Sequence, residues 1–198
     1  PAAAIFGAAT GAPAEPGAGG GTRYKIPRAC VYFPPESAAA AARNIADKRV
    51  HDESIVRDFE REFARYTGAR GVRATGSGRQ ALYIALKALG VAPGDEVILP
   101  SYTCRVVVPA IVLAGAVPVF CDVEPDTCNM SARTVAPCVT DRTRFVLMTH
   151  IHGQPVDVDG LRDLAEDRGF VIIEDAAASL GAEYRGGKTG RFGRIGYY

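Results

Sequence analysis

The stretch Phe170-Val171-Ile172-Ile173-Glu174-Asp175 decides the fold: it opens with four apolar residues, three of them β-branched. Such a run is typical of a strand buried on both faces of a parallel sheet. Its two carboxylates would lie at the carboxyl edge, where open α/β sheets bind ligands. An ionised carboxylate buried there needs a partner. For Asp175 the candidates are a backbone N–H group, an arginine, a metal ion or a cationic cofactor nitrogen.

Composition narrows the class of protein. The 198 residues suit one globular domain, with 47% hydrophobic and 23% charged residues and a net charge of +1. This balance gives no electrostatic reason to expect nucleic acid or an anionic membrane as partner. No apolar run approaches the roughly 20 residues of a membrane span. The five cysteines include no C-x-x-C pair, so we expect free thiols and a cytoplasmic location.

The order of the patterns predicts an α/β fold of three layers, α/β/α, with a mainly parallel sheet. Residues 1–22 are rich in Ala, Gly and Pro, and we expect a disordered tail before one domain at 23–198. Strands separated by helices indicate βαβ units. We expect strands at 71–75, 96–100, 117–123, 144–150 and 170–175, helices at 36–48, 53–67, 79–89, 105–113 and 158–168, and a hairpin at 184–190.

A glycine-rich turn precedes the helix expected at 79–89. The pattern Gly76-x-Gly78-x-x-Ala81 follows an expected strand, and a helix N-terminus there would offer N–H groups and a positive dipole end to a phosphate. A nicotinamide dinucleotide would also need an acidic residue after the next strand, but that strand ends in Pro100-Ser101. The sequence leaves open a phosphate site, a plain tight turn and a dinucleotide site.

Two further patterns point to other chemistry. Ala182-x-x-x-x-Gly187-Lys188-Thr189 departs from a P-loop by one residue, but glycines rather than a helix follow it. His150-x-His152 has the spacing of two metal ligands on one strand face, although no third ligand stands nearby. We therefore expect neither pattern to bind phosphate or metal, and we expect the histidines to pack or form hydrogen bonds.

Seven motifs, in order between Phe59 and Tyr198, together resemble the DegT/DnrJ/EryC1/StrS sugar aminotransferase family, whose members are pyridoxal-phosphate enzymes of fold type I. They are Phe59-Glu60-x-Glu62-Phe63-Ala64-x-Tyr66-x-Gly68, Ser77-Gly78-x-x-Ala81-Leu82, Pro93-Gly94-Asp95-Glu96-Val97-Ile98-x-Pro100-Ser101-x-Thr103, Gly115-Ala116-x-Pro118-Val119-Phe120-x-Asp122, His152-Gly153-x-Pro155-Val156-Asp157-x-Asp159, Ile173-Glu174-Asp175-Ala176-Ala177 and Gly190-x-Phe192-Gly193.

The resemblance assigns one cofactor to both ends of the expected site. It implies that Asp175 bonds the pyridine nitrogen of pyridoxal phosphate and keeps it protonated, which suits a ring that acts as an electron sink. It also implies that Gly78 and the backbone N–H groups of Arg79 and Gln80 hold the phosphate. Two further cofactor-binding positions depart from the family pattern: Cys104 replaces a stacking aromatic residue, and Ala178 replaces Gln or His. Arg79 also stands where Thr is usual.

The implied activity is transfer of an amino group from an amino acid, usually glutamate in this family, to a nucleotide-linked keto-sugar by a homodimer. The family's Schiff-base lysine and small C-terminal domain would lie beyond Tyr198. We therefore expect this chain to be a fragment that does not transaminate alone. Three alternatives stay open: a sugar dehydratase with histidine at the lysine position, a non-catalytic relative, and a nicotinamide-dependent oxidoreductase.

Overall fold

The computed structural model describes residues 34–49 and 52–198. Helix α1, Pro35–Ala46, begins with proline in its first turn and has no buried residue. It lies outside the unit formed by Asp52–Tyr198. The expectations for the tail at 1–22 and for the following residues up to 33 fall outside the described residues. None of the helices in the described ranges is long and apolar enough to cross a membrane.

The unit formed by Asp52–Tyr198 is built on a parallel sheet, as predicted. The sheet has five strands in the order β2-β1-β3-β4-β7. The predicted central strand, β4, pairs with β3 on one side and β7 on the other. A separate antiparallel hairpin, β5–β6, stands where a glycine-rich hairpin was expected. The strands are β1 Glu96–Pro100, β2 Val117–Cys121, β3 Thr143–Thr149, β4 Val171–Asp175, β5 Glu183–Tyr184, β6 Gly187–Lys188 and β7 Ile195–Tyr197.

Helices cover both faces of this sheet, which gives the three layers. One buried cluster joins α3 and α4 to side chains such as Leu147 and Ile173. The other joins α5 and α6 to alternate side chains of the same strands, among them Val146 and Ile172. Ile173 and Asp175 therefore face the α3 side, and Ile172 and Glu174 face the α6 side. The helices are α2 Glu53–Thr67, α3 Gly78–Ala88, α4 Val107–Ala114, α5 Ala132–Val135 and α6 Val158–Arg168, with 3₁₀ turns at Ala136–Cys138 and Ile151–Gly153.

The helix boundaries follow local chemistry that the sequence already shows. Asp52 caps α2 by accepting the Ser54 N–H group at 2.9 Å, and Gly68 ends the helix in a left-handed conformation. Asp157 caps α6 in the same way. These local signals explain why the predicted bounds of both helices agree with the structure.

The strand predicted at 71–75 is wrong, because this segment has no regular secondary structure and does not belong to the sheet. Its Ala74 N–H group donates to Glu60 Oε1 of α2 at 2.8 Å, and Arg73 forms an ion pair with the same carboxylate. The segment therefore satisfies backbone polarity with a side chain of α2, and most of it stays exposed.

Candidate functional site

Asp175 ends β4 at the carboxyl edge of the sheet and is only 6% exposed. Its Oδ2 accepts the Tyr197 hydroxyl at 2.7 Å, and its Oδ1 accepts the Ala177 N–H group at 3.1 Å. Burial raises the pKa of the Asp175 carboxyl above its ordinary value, although the two hydrogen bonds act in the opposite direction. The backbone partner that the sequence left open is thus present, and the tyrosine is an additional partner.

Tyr197 is the residue of this site that sequence reasoning missed. It lies directly beside Asp175 in the parallel β4–β7 register, so the two side chains share one face. Burial raises the pKa of Tyr197 well above its ordinary value, and the negative charge of Asp175 adds to this effect. The phenol therefore stays protonated and acts as the donor at neutral pH.

The N-terminus of α3 lies on the same side of the sheet. Ser77 caps the helix by accepting the Gln80 N–H group at 3.3 Å, and the Gln80 side chain accepts the Gly76 N–H group at 2.8 Å. A Cβ atom placed on Gly78 would lie 3.8 Å from the Tyr197 ring. The structure thus brings the glycine turn and Asp175 together with Tyr197 between them, while the Arg79 side chain is exposed.

The remaining predicted site residues lie in two loops. Cys104 is an exposed free thiol between β1 and α4, close enough to Tyr197 that a thiolate charge there would raise the phenol pKa. Ala178 is exposed in the turn after β4, and its carbonyl oxygen lies 3.1 Å from the position of a Cβ atom on Gly153. Cys104 is thus near the Asp175–Tyr197 pair, whereas Ala178 packs toward the connection that follows β3.

Two buried hydroxyl groups beside the site lack a hydrogen-bond partner among the described residues: those of Thr103 and Thr149. Thr103 precedes Cys104 in the chain, and Thr149 is the register partner of Asp175 in β3. An unpartnered buried hydroxyl costs on the order of 1–3 kcal/mol. Their position indicates a site suited to a polar ligand.

Glu174 lies on the opposite face and organises the loop before β7. It is fully buried, and four groups donate to its carboxylate: His150 Nε2 at 2.7 Å, the Phe192 and Gly193 N–H groups at 2.7 and 3.0 Å, and the Gly190 N–H group. The carboxylate therefore fixes the path by which the chain reaches β7.

His150 is a structural residue within this network. Its Nδ1 accepts the Val156 N–H group at 3.1 Å, so its proton is on Nε2, which donates to Glu174. His152, by contrast, is exposed, has a left-handed φ of 55°, and places Nε2 3.2 Å from the Tyr102 hydroxyl oxygen. The two histidines are thus in different environments, and no group of metal ligands occurs among the described residues.

The stretch that resembles a P-loop, from Ala182 to Thr189, has a structural role. Gly187–Lys188 forms β6, no helix follows it, and the Lys188 ammonium lies 3.8 Å from the centre of the Tyr66 ring. Thr189 is buried and donates to the Ser179 carbonyl at 2.7 Å. The acidic residue near β1, Glu96, lies at its start and pairs with Arg142, so it cannot serve a dinucleotide at the carboxyl edge.

The parallel sheet has the strand order β2-β1-β3-β4-β7, helices on both faces, and a buried carboxylate on the same side as a helix N-terminus. This arrangement matches the large domain of a fold type I aminotransferase. The chain belongs to the DegT/DnrJ/EryC1/StrS aminotransferase family, whose profile matches residues 35–198. The sequence resemblance is thereby confirmed.

Relatives support both the fold and the cofactor class. The dTDP-3-amino-3,4,6-trideoxy-alpha-D-glucose transaminase of Streptomyces venezuelae is 40% identical over 78% of this chain and 41% of its own. The aminotransferase structure from Psychrobacter cryohalolentis is 35% identical over 83% of this chain and 42% of its own, with a TM-score of 0.79. A putative sugar aminotransferase from Streptococcus pneumoniae, described in its PLP-form, is 28% identical over 71% of this chain and 40% of its own, with a TM-score of 0.68. The chain spans about two fifths of the length of the curated relatives it matches.

Proposed function

We propose that the whole protein is a pyridoxal-phosphate-dependent aminotransferase that transfers an amino group from an amino acid to a nucleotide-linked keto-sugar. The observation that carries this proposal is the buried carboxylate of Asp175 on the same side of the sheet as the N-terminus of α3. The similarity to the Streptomyces venezuelae transaminase, whose name specifies a dTDP-sugar, favours the nucleotide-linked substrate.

The residues of the site suit the two ends of this cofactor. Asp175 would accept a hydrogen bond from the ring nitrogen, and a buried carboxylate whose pKa is raised by burial stabilises a cation beside it. The N-terminus of α3, with Gly78 and Arg79, would hold the phosphate through N–H groups and positive charge. Cys104 would lie near the ring. When bound, pyridoxal phosphate supplies an electron sink for the chemistry at the amino carbon.

The catalytic lysine belongs, in this proposal, to the part of the protein after residue 198. Of the lysines in the described ranges, Lys188 lies closest in sequence to the end of β7, and its ammonium group is engaged over the Tyr66 ring. We therefore expect the 198-residue chain to form no specific covalent bond with the cofactor. Borohydride reduction in the presence of pyridoxal phosphate, followed by peptide mapping, tests this. A stoichiometric adduct on Lys188 would contradict it.

The cofactor assignment is tested by Asp175→Asn in the full-length protein. We expect weaker binding of pyridoxal phosphate and loss of the absorbance of the protonated ring, because asparagine cannot stabilise the ring cation. The matched control is Asp163→Asn, an exposed position of α6, which should bind like the wild type. Unchanged binding and absorbance in Asp175→Asn would refute the assignment.

The substrate assignment needs a separate assay. Transfer of nitrogen-15 from labelled glutamate or glutamine to a nucleotide-linked keto-sugar, followed by mass spectrometry, should yield a labelled amino-sugar. Release of a deoxy-sugar without nitrogen would instead identify the dehydratase variant. We also propose a homodimer, which sedimentation of the full-length protein tests.

A non-catalytic relative is the second candidate, and one observation favours it: the Tyr197 hydroxyl already occupies Asp175. In that case the full-length protein would bind ligand without transferring nitrogen. Amino transfer at a rate above that of free pyridoxal phosphate would exclude this candidate.

A further inference from the structure

The Asp175–Tyr197 contact joins two side chains that are almost fully buried. Asp175 is 6% exposed and Tyr197 is 7% exposed, so the carboxylate and the phenol shield each other from solvent. The hydroxyl oxygen lies 2.7 Å from Oδ2, which is a full hydrogen bond to a charged acceptor. A ligand that donates a hydrogen bond to Oδ2 therefore competes with the tyrosine hydroxyl.

The Tyr197 ring also occupies the space between the two ends of the candidate site. Its Cδ2 and Cε2 atoms lie 3.8 Å from the position of a Cβ atom on Gly78, at the first turn of α3, while its hydroxyl reaches Asp175. One tyrosine side chain thus extends from the expected phosphate end to the expected ring-nitrogen end. A cofactor bound at both ends needs the same interval.

The next residue, Tyr198, has different partners from Tyr197. Its hydroxyl donates to the Thr189 carbonyl oxygen at 2.5 Å, on the loop that leads to β7. Its ring packs edge to face against Phe63 at 5.0 Å. The hydroxyl of Tyr198 is therefore bonded to the loop before β7, whereas the hydroxyl of Tyr197 is bonded to Asp175.

We propose that Tyr197 is an internal competitor of the cofactor: its phenol occupies the carboxylate that the ring nitrogen must reach, and it has to leave before pyridoxal phosphate can bind. This inference rests on the proposed function. A buried phenol needs a hydrogen-bond partner, and Asp175 provides one in the absence of ligand. Binding of the cofactor then includes the cost of breaking that bond, so the affinity of the wild type is reduced.

The test compares Tyr197→Phe with Tyr198→Phe, a matched control one residue away. The probe is 4′-deoxypyridoxine 5′-phosphate, which lacks the aldehyde and so cannot form adducts with surface lysines. Its affinity is measured by equilibrium dialysis against the full-length protein. We expect Tyr197→Phe to bind about tenfold more tightly, since a hydrogen bond to a charged acceptor no longer has to be broken. Tyr198→Phe should bind like the wild type.

Two further measurements keep the outcome decisive. Tyr197→Val retains a strand-forming residue but removes the ring, and it should bind at least as tightly as Tyr197→Phe. Carbon-13 NMR titration of the ligand-free protein should show that the pKa of the Asp175 carboxyl rises in Tyr197→Phe, because the phenol bond that stabilises the carboxylate is gone. Thermal unfolding of each variant verifies that it is folded.

The possible outcomes separate this inference from the proposed function. Equal or weaker binding by Tyr197→Phe, with binding by the wild type retained, overturns the competition and leaves the cofactor assignment standing. An unchanged pKa of Asp175 in Tyr197→Phe also overturns it, because the bond would then not exist in solution. Binding by none of the four proteins refutes the proposed function and the competition together.

Discussion

Replacing Glu174 with glutamine is the most demanding test of the structure, because it removes charge while keeping the size of the side chain. Four donors converge on this buried carboxylate: one from His150 and three from the N–H groups of Gly190, Phe192 and Gly193. Each oxygen accepts two of them. An amide has only one oxygen, so its NH₂ group must face two of the four donors.

The expected cost follows from the two donors left without an acceptor. Each buried unsatisfied donor costs about 1–3 kcal/mol, so Glu174→Gln should lower the free energy of unfolding by roughly 4 kcal/mol. Relief from burying a charge acts in the opposite direction, but it is small where the charge is fully hydrogen-bonded. Against a typical total of about 5–15 kcal/mol, the loss is large enough to measure without ambiguity.

Urea unfolding followed by circular dichroism gives the change in free energy, and hydrogen exchange locates it. The amides of Phe192 and Gly193 should exchange faster in Glu174→Gln, while those at the centre of β1 should change only with global stability. Glu183→Gln, an exposed position of β5, is the control and should stay within about 0.5 kcal/mol of the wild type. A loss below about 1 kcal/mol in Glu174→Gln would refute the reasoning.

Three further substitutions follow from contacts described by the structure. Gly196→Ala would place a Cβ atom in a steric clash with the Gly190 carbonyl group, so we expect a loss of roughly 3 kcal/mol in urea unfolding. Hydrogen bonds from Thr140 and Arg142 hold the pKa of Glu96 below its ordinary value. The ionised carboxylate therefore stabilises the folded protein at neutral pH, and this stabilisation is lost as the pH falls through the folded-state pKa. The free energy of unfolding should consequently change less between about pH 6 and 3 in Glu96→Gln than in the wild type. Asp52→Ala removes the cap of α2 and should cost about 1 kcal/mol, measured as a lower thermal midpoint.

Matched controls exist for two of these changes. Gly71→Ala adds a Cβ atom that meets nothing within 4 Å, so it should be nearly neutral where Gly196→Ala is not. Glu166→Gln changes an exposed carboxylate and should leave the pH curve as in the wild type. Equal losses in the two alanine variants, or an unaltered pH curve in Glu96→Gln, would contradict the assigned contacts.

The sequence predicts most of the fold because the decisive signals are local. The apolar run of β4 and the cap of α2 at Asp52 each depend on a few adjacent residues, and the structure confirms both. For α6 the sequence offers Asp157 or Asp159 as the cap, and the structure has Asp157. The segment at 71–75 fails for the opposite reason. A strand exists only with a paired neighbour, and its local pattern contains no information on whether one is available.

In the candidate site, too, local patterns predict some features and tertiary contacts decide the others. The end of a buried strand predicts the place of Asp175 at the carboxyl edge of the sheet, whereas Gly78 is assigned to the same site by the family resemblance, since no strand precedes it. The contact of Tyr197 with Asp175 depends on the register between β4 and β7, which no short pattern specifies. The convergence of His150 and the loop before β7 on Glu174 is likewise a product of tertiary structure.

The adjacency of Glu174 and Asp175 makes the alignment of β4 an all-or-nothing property. Successive side chains alternate between faces, so a shift of β4 by a single position would change which residue stands at each acidic position. In one direction Glu174 would replace Asp175, and Ile173 would face the amide donors. In the other direction the shorter Asp175 would face those donors, and Ala176 would replace Asp175. Either misaligned chain would bury N–H groups without an acceptor, so the pair of acids penalises both neighbouring registers of the strand.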